Sequence, residues 1–426
     1  MSRDAELLAL LEAERERQVD FLQRFARIDT ANPPGDTRQA ADLFRAFLDK
    51  EGIAHRTEAP KADNPNIIAG FEGGKGPGRH LVLNGHLDVF PVGDRAAWQR
   101  DPRSGDIADG RLHGRGTVDM KCGTTALLFA FACLHRLREE LSGRVTLTVV
   151  SDEETGGKWG TAWLLENCAS EVTGECVLNS EPSGLATVRF GEKCMLWLRF
   201  TIAVKGGHSA YPHTGGSANK VAAALIQDLL AIEKMVPDEP GTVRTTLDRP
   251  EVRAAAELSL GAGAAEVMRR VSVNVGTIQG GVKINMLPPQ CVLEVDFRLP
   301  VGISRAAVLA RVAEIAARHP GTRFEELLPG GPEANVSDPT HEMMGHLLRR
   351  AGALAGALLA SPPQPIVSLG GTDTRFWRAK GVPAFVYGCS PAGMGGVDES
   401  VSLAEFHHVM KVHALAAWDY LTSARS

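Results

Sequence analysis

No block of basic residues with interleaved aromatics occurs in this 426-residue chain, and 46 basic against 51 acidic residues leave a formal net charge of -5. Nothing electrostatic therefore points to a nucleic-acid partner. No Cys-x-x-Cys pair occurs either. The seven cysteines (Cys122, Cys133, Cys168, Cys176, Cys194, Cys291 and Cys389) are scattered and odd in number, which argues against a disulfide framework or a zinc knuckle and fits reduced thiols in a cytoplasmic protein. Internal repeats and low-complexity tracts are absent. Residues 1–27 are densely charged, with apolar residues at helical spacing. They read as a surface helix, not as a signal peptide or a membrane span.

The length exceeds that of one ordinary core, so two domains are expected. Strand-like runs alternate with helical patterns: "HLVLNGHLDV", "TTALLFAFACLHRLREEL", "RVTLTVVSDEE", "GTAWLLENCA", "ECVLNSEP". That order implies an α/β domain whose mixed, largely parallel sheet is flanked by helices. Ligands in such sheets gather at the carboxyl ends of strands. Three of these runs end in His86 and Asp88, in Asp152 to Glu154, and in Glu181, so polar groups converge at one edge. After "RFGEK" the texture changes to an α+β unit of split βαβ type containing a long Ala-rich insertion. The expected division is 1–191 for the first part of the catalytic domain, 192–329 for the inserted lid, and 330–426 for the second part.

Five stretches carry the chemistry. In "GHLDV", His86 and Asp88 stand two residues apart and share a face of an extended backbone; the pair reads either as metal chemistry or as a buried histidine satisfied by a carboxylate. In "HGRGTVDMKCG", Asp119 follows a Gly-rich turn and is a ligand or a helix N-cap. In "SDEETGG", adjacent Glu153 and Glu154 repel unless a cation absorbs charge or one takes a proton. A metal ligand beside a general base resolves that conflict, and a solvated acidic turn is the alternative. Glu181 in "NSEPSG" and Asp373 in "GGTDTRF" complete a cleft.

Together with "KGGHSAYPHTG", "GGVKINMLPPQC" and "DFRLPVG", these stretches appear in the order that identifies a member of the metallopeptidase family of acetylornithine deacetylase, succinyl-diaminopimelate desuccinylase, aminoacylase and carboxypeptidase G. The resemblance implies a metal-dependent hydrolase cleaving a C–N bond in a small carboxylate-bearing substrate, with a lid that also forms a homodimer or higher assembly. By motif position His86 and Glu181 hold the first metal, Asp119 bridges, and Glu154 serves the second metal. Asp88 fixes the tautomer of His86, and Glu153 is general base toward a metal-activated water. The peptide bond after Asp119 is expected to be cis. His208 is lent to the neighbouring subunit's oxyanion. Asn285 and Arg298 grip the substrate, Arg298 matching a carboxylate unless it serves only a structural salt bridge. Asp373 lines the same site.

The resemblance fails at one ligand. The family's last histidine lies three residues before an Asp-Glu pair, and in "PAGMGGVDESV" that position is Gly395. Glycine offers no donor, Met394 is too soft for Zn or Mn, and His407 and His408 belong to the next helical pattern. One divalent metal per subunit, Mn or Zn, is therefore favoured over two. With one metal, Glu154 lacks compensation and has use beside an amine, which opens a second expectation: hydrolytic deamination of an amino-aromatic acid of aminobenzoate type. A non-catalytic ligand-binding relative is the third.

Overall fold

The computed structural model describes residues 2–424. Its largest sheet has nine strands, ordered His55–Glu58, Asn66–Glu72, Arg144–Val150, His80–His86, Cys176–Asn179, Ala384–Val386, Thr187–Glu192, Asn335–Val336, with Gln364–Ser368 also pairing Thr187–Glu192. The central neighbours run parallel: Arg144–Val150 with His80–His86, then Cys176–Asn179, then Ala384–Val386. These strands are buried almost throughout, which is why they read as continuous apolar runs. Helices Cys122–Arg136 and Leu403–Thr422 pack on one another over this sheet. The stretch Thr117–Arg136 is apolar enough to span a membrane by composition, but 94% of its most apolar window is buried inside the molecule.

Residues 3–27 form two helices, Arg3–Ala13 and Arg15–Arg27, where one surface helix was expected. Their apolar stripe, including Leu7, Leu11, Phe21, Leu22 and Phe25, lies in the main core while the charged face stays outside. The dense charge therefore marks one face of a packed helix pair.

A second, four-stranded antiparallel sheet is ordered Ser272–Gly280, Gln290–Leu299, Cys194–Ala203, Thr322–Glu326. Burial alternates along Cys194–Ala203 and Gln290–Leu299, the signature of a sheet covered on one face. Helices Ala218–Leu230 and Arg305–Ala317 supply that cover. The Ala-rich insertion folds into helices Gly241–Leu247, Pro250–Leu260 and Ala264–Val267. They lie in the stretch expected for the lid, yet Val243, Leu247, Val252 and Ala256 join the hydrophobic cluster of the large sheet. This insertion thus reaches back from the small sheet to the large one.

Candidate metal centre

Each ligand-type residue sits where a buried strand or helix ends. His86 closes its strand, Glu181 follows Cys176–Asn179 by two residues, and Asp119 lies in the turn Thr117–Lys121 leading into helix Cys122–Arg136. Gly123 lets that helix approach the Glu181 segment, since a Cβ there would meet Ser180 O at 2.1 Å. The Asp119–Met120 peptide bond is cis. Glu399 holds the same turn: its Oε1 accepts from Val118 N at 2.8 Å and Asp119 N at 3.3 Å, and its Oε2 accepts from Arg115 Nη1 at 2.6 Å.

Ligand atoms of His86, Asp119 and Glu181 lie within 4.8 Å of one another. His86 Nδ1 is 2.8 Å from the Asp88 backbone carbonyl. A carbonyl can only accept, so Nδ1 carries the proton and Nε2 keeps its lone pair for a ligand. Nε2 stands 3.3 Å from Asp119 Oδ1 and 3.2 Å from Glu181 Oε1, but neither contact has hydrogen-bonding geometry. Among the described residues, buried His86 Nε2, Asp119 Oδ1 and Glu154 Oε1 have no hydrogen-bond partner. Burial pushes the Glu154 and Glu181 carboxyls well up, and the charge of Asp119 adds to that. For His86, burial opposes protonation but Asp119 and Glu181 outweigh it. Unsatisfied oxygen and nitrogen donors converging in a dry site fit a divalent cation.

Asp88 does more than sequence spacing suggests. Its carbonyl, not its carboxylate, orients His86; Oδ1 is 3.5 Å from Nδ1. The carboxylate instead accepts from Glu153 N at 3.2 Å, Glu154 N at 3.1 Å and Asn32 Nδ2 at 2.8 Å. It therefore ties the His86 strand end to the Glu153–Glu154 turn. Glu153 Oε1 accepts from Arg375 Nη1 at 2.9 Å, and burial raises the Glu153 carboxyl against the pull of Arg375. Asp373 is buried with both carboxylate oxygens unpartnered; burial first, then the nearby Glu153 charge, pushes it up to about 7.

The expected lid residues are more open to solvent. His208 and Asn285 are exposed, and Arg298 pairs with Asp296 over 2.9 Å while partly exposed. His407 bonds Gln18 at 3.1 Å and His408 bonds the Tyr387 hydroxyl at 2.8 Å, both inside the core, so neither joins the ligand cluster of His86, Asp119 and Glu181. Gly395 itself has φ +69°, and a Cβ there would stand 3.2 Å from the Phe90 ring. Sequence reasoning missed the roles of Arg375, Asn32, Arg115 and Glu399. Arg375 lay in a quoted stretch, and a charge two residues after Asp373 was the available signal.

The fold and this donor set define a metal-dependent hydrolase acting on C–N bonds, and comparison with known proteins gives the family. The profile of peptidase family M20/M25/M40 matches residues 82–419, and the chain belongs to that family. Two succinyl-diaminopimelate desuccinylases of Cereibacter sphaeroides are each 32% identical to it. That of strain ATCC 17025 / ATH 2.4.3 aligns over 84% of this chain and 87% of its own length, and that of strain ATCC 17029 / ATH 2.4.9 over 89% and 93%. In fold the chain is similar to the metallo-carboxypeptidase Sso-CP2 of Sulfolobus solfataricus, with TM-score 0.79, 17% identity, and 99% and 100% of the two chains covered. It is also similar to the di-peptidase Dug1p of Saccharomyces cerevisiae, with TM-score 0.76, 14% identity and complete coverage of both.

Proposed function

We propose that the protein hydrolyses the amide bond of a small N-acyl amino acid, using one divalent metal, Mn or Zn, held by His86, Asp119 and Glu181. The observation that carries this reading is the set of unmet buried donors at His86 Nε2 and Asp119 Oδ1, within reach of Glu181. When bound, the cation supplies Lewis acidity and makes water a nucleophile near neutral pH. With Oε1 engaged by Arg375, Glu153 takes the proton of the attacking water at Oε2 and returns it to the leaving amine. Asp88 holds the turn that carries Glu153 and Glu154. The desuccinylase relatives support a carboxylate-bearing substrate, which Arg298, Asn285 and Asp373 grip.

The proposed working unit is a homodimer in a reducing, cytoplasmic setting, as buried free thiols suit. Residues 192–329 act as lid between catalytic segments 1–191 and 330–426. Strand Ser272–Gly280 is an edge of the small sheet; Ile278 within it and Val282 and Ile284 just after it are 57%, 91% and 99% exposed. Such an edge with apolar neighbours suits pairing with a second copy. The partner subunit's His208 then stabilises the oxyanion.

Glu154 favours one further reading. Its Oε1 is buried, unpartnered and outside the three-residue cluster, as befits a carboxylate facing a substrate amine in hydrolytic deamination of an amino-aromatic acid. Assays of N-acyl amino acids and of an aminobenzoate, read by amine and ammonia release, separate the two. Glu153→Gln is expected to lower turnover by about 10²- to 10⁴-fold at unchanged metal content; near wild-type turnover removes Glu153 as base.

A further inference from the structure

Glu399 and Arg115 form a buried ion pair: their side chains are 1% and 5% exposed, and Arg115 Nη1 donates to Glu399 Oε2 over 2.6 Å. A pair of this kind adds little to stability that well-packed apolar residues of similar volume would not supply. What it holds is the turn that carries Asp119. The second carboxylate oxygen, Oε1, accepts from Val118 N at 2.8 Å and from Asp119 N at 3.3 Å. Both oxygens of Glu399 are thus engaged by the protein, and its carboxylate stays outside the ligand cluster of His86, Asp119 and Glu181. It touches the ligand residue and not the cation.

The carboxylate stands on a fixed platform. The Arg115 guanidinium lies 5.0 Å from the centre of the Trp98 ring, and the Arg115 backbone N–H donates to the Pro102 carbonyl at 2.7 Å. The Glu399 carbonyl accepts from Gly114 N at 2.9 Å, and strand Ser400–Ser402, which follows, pairs antiparallel with Arg111–His113. The far end of the turn is fastened separately, by Lys121 Nζ donating to the Phe25 and Ile28 carbonyls at 2.9 and 2.7 Å. Among the described residues Asp119 Oδ1 has no hydrogen-bond partner, so the backbone of this turn is what aims it.

We infer that Glu399 is a positioning residue of the metal centre: by holding the Val118 and Asp119 amides it fixes where Asp119 presents its carboxylate, and so sets the affinity of the site for its divalent cation. This rests on the metal-site reading above and adds to it a residue 280 positions away in sequence that acts through Asp119. Gly395 of the same segment offers no donor, and the segment serves the centre through Glu399 instead.

The test uses the full-length protein stripped of metal and titrated with Mn or Zn by calorimetry, at a temperature well below every melting transition. Partners that orient metal ligands in this way correspond to about 10- to 100-fold in metal affinity. Glu399→Met, which removes the acceptor, is expected to weaken binding by that factor. Glu399→Gln, whose amide oxygen still accepts from Val118 and Asp119, is expected to recover most of the loss. Arg79→Met breaks a different buried ion pair, that with Glu342; it controls for lost stability and is expected to bind metal like wild type. A folded Glu399→Met with wild-type affinity, a loss that Gln does not recover, or an equal loss in Arg79→Met each overturn the assignment while leaving the metal site intact. Should Glu399→Met fail to fold, Glu399→Asp keeps the charge for Arg115 but is one methylene shorter and withdraws the oxygen from the two amides. Weakened binding in that variant supports the assignment, and wild-type binding overturns it. Wild-type protein that binds neither Mn nor Zn overturns the metal centre itself, and this role with it.

Discussion

Arg375 and Glu153 form a buried ion pair, with Nη1 donating to Oε1 over 2.9 Å and neither side chain more than 10% exposed. Two segments 222 residues apart are thereby joined at the group assigned as general base. Burial raises the Glu153 carboxyl and Arg375 holds it down.

Replacing that guanidinium tests the arrangement. Arg375→Met removes the influence that lowers the Glu153 pKa, so the carboxyl rises further and its ionised, basic form is reached only at higher pH. The acid limb of the kcat/KM profile is expected to move upward, with about 3 kcal/mol lost from stability where Glu153 stays charged. A pH–rate profile checks it; an unmoved acid limb argues that Arg375 does not tune the base.

Much of the site was legible in the sequence, for a physical reason. A buried parallel strand rarely carries charge along its length, so runs that end abruptly in His86, Glu153–Glu154 or Glu181 mark the sheet's ligand edge. Spacing could not tell which group of Asp88 meets His86, because carbonyl and carboxylate belong to one residue. Nor could it pair Arg375 with Glu153 or Arg115 with Glu399, partners brought together only by the fold. The 241–267 helices show an apolar face in sequence, but a face does not name the sheet it covers.

Chelation is expected to destabilise the protein. Without a cation Asp119, Glu154 and Glu181 crowd one dry site, and burial with mutual repulsion raises the carboxyls of Glu154 and Glu181. A metal at 100 times its Kd contributes about 2.7 kcal/mol by linkage. Thermal melts with chelator, then with Mn or Zn restored, should show a fall and recovery; His86→Ala should melt the same in both. Identical melts of wild type with and without chelator would contradict the site.

Asp419 predicts an acid-sensitive joint away from the site. Burial opposes its charge, but the nearby His346 ring and the hydrogen bonds from Arg350 win and hold it at about 2. Arg350 also bonds Asp4 at 3.1 Å, joining the first helix to the last. The folded pKa lies below the ordinary value of 3.8, so the stabilisation is present above about 4 and is lost as pH falls toward 2. Screening at this partly exposed site reduces it to about 1 kcal/mol. Asp419→Asn should therefore lower Tm at pH 7 and leave it unchanged near pH 2; an equal drop at both pH values would refute the ionic origin.

Restoring a side chain at Gly395 should not rebuild a second site. Its φ of +69° and the Phe90 ring 3.2 Å from a built Cβ make Gly395→His cost about 1–2 kcal/mol in backbone strain alone. A lowered Tm with metal content unchanged is the expected result. A variant that melts like wild type and gains a metal would show that the loop rearranges freely.

The proposed site holds one metal per chain, on His86, Asp119 and Glu181. Elemental analysis of stripped protein reloaded with Mn or Zn, with activity followed through the titration, tests it most directly. Activity and bound metal should reach a plateau together at one ion per subunit. A plateau at two would contradict a single-metal site, because a group other than position 395 would then complete a second one.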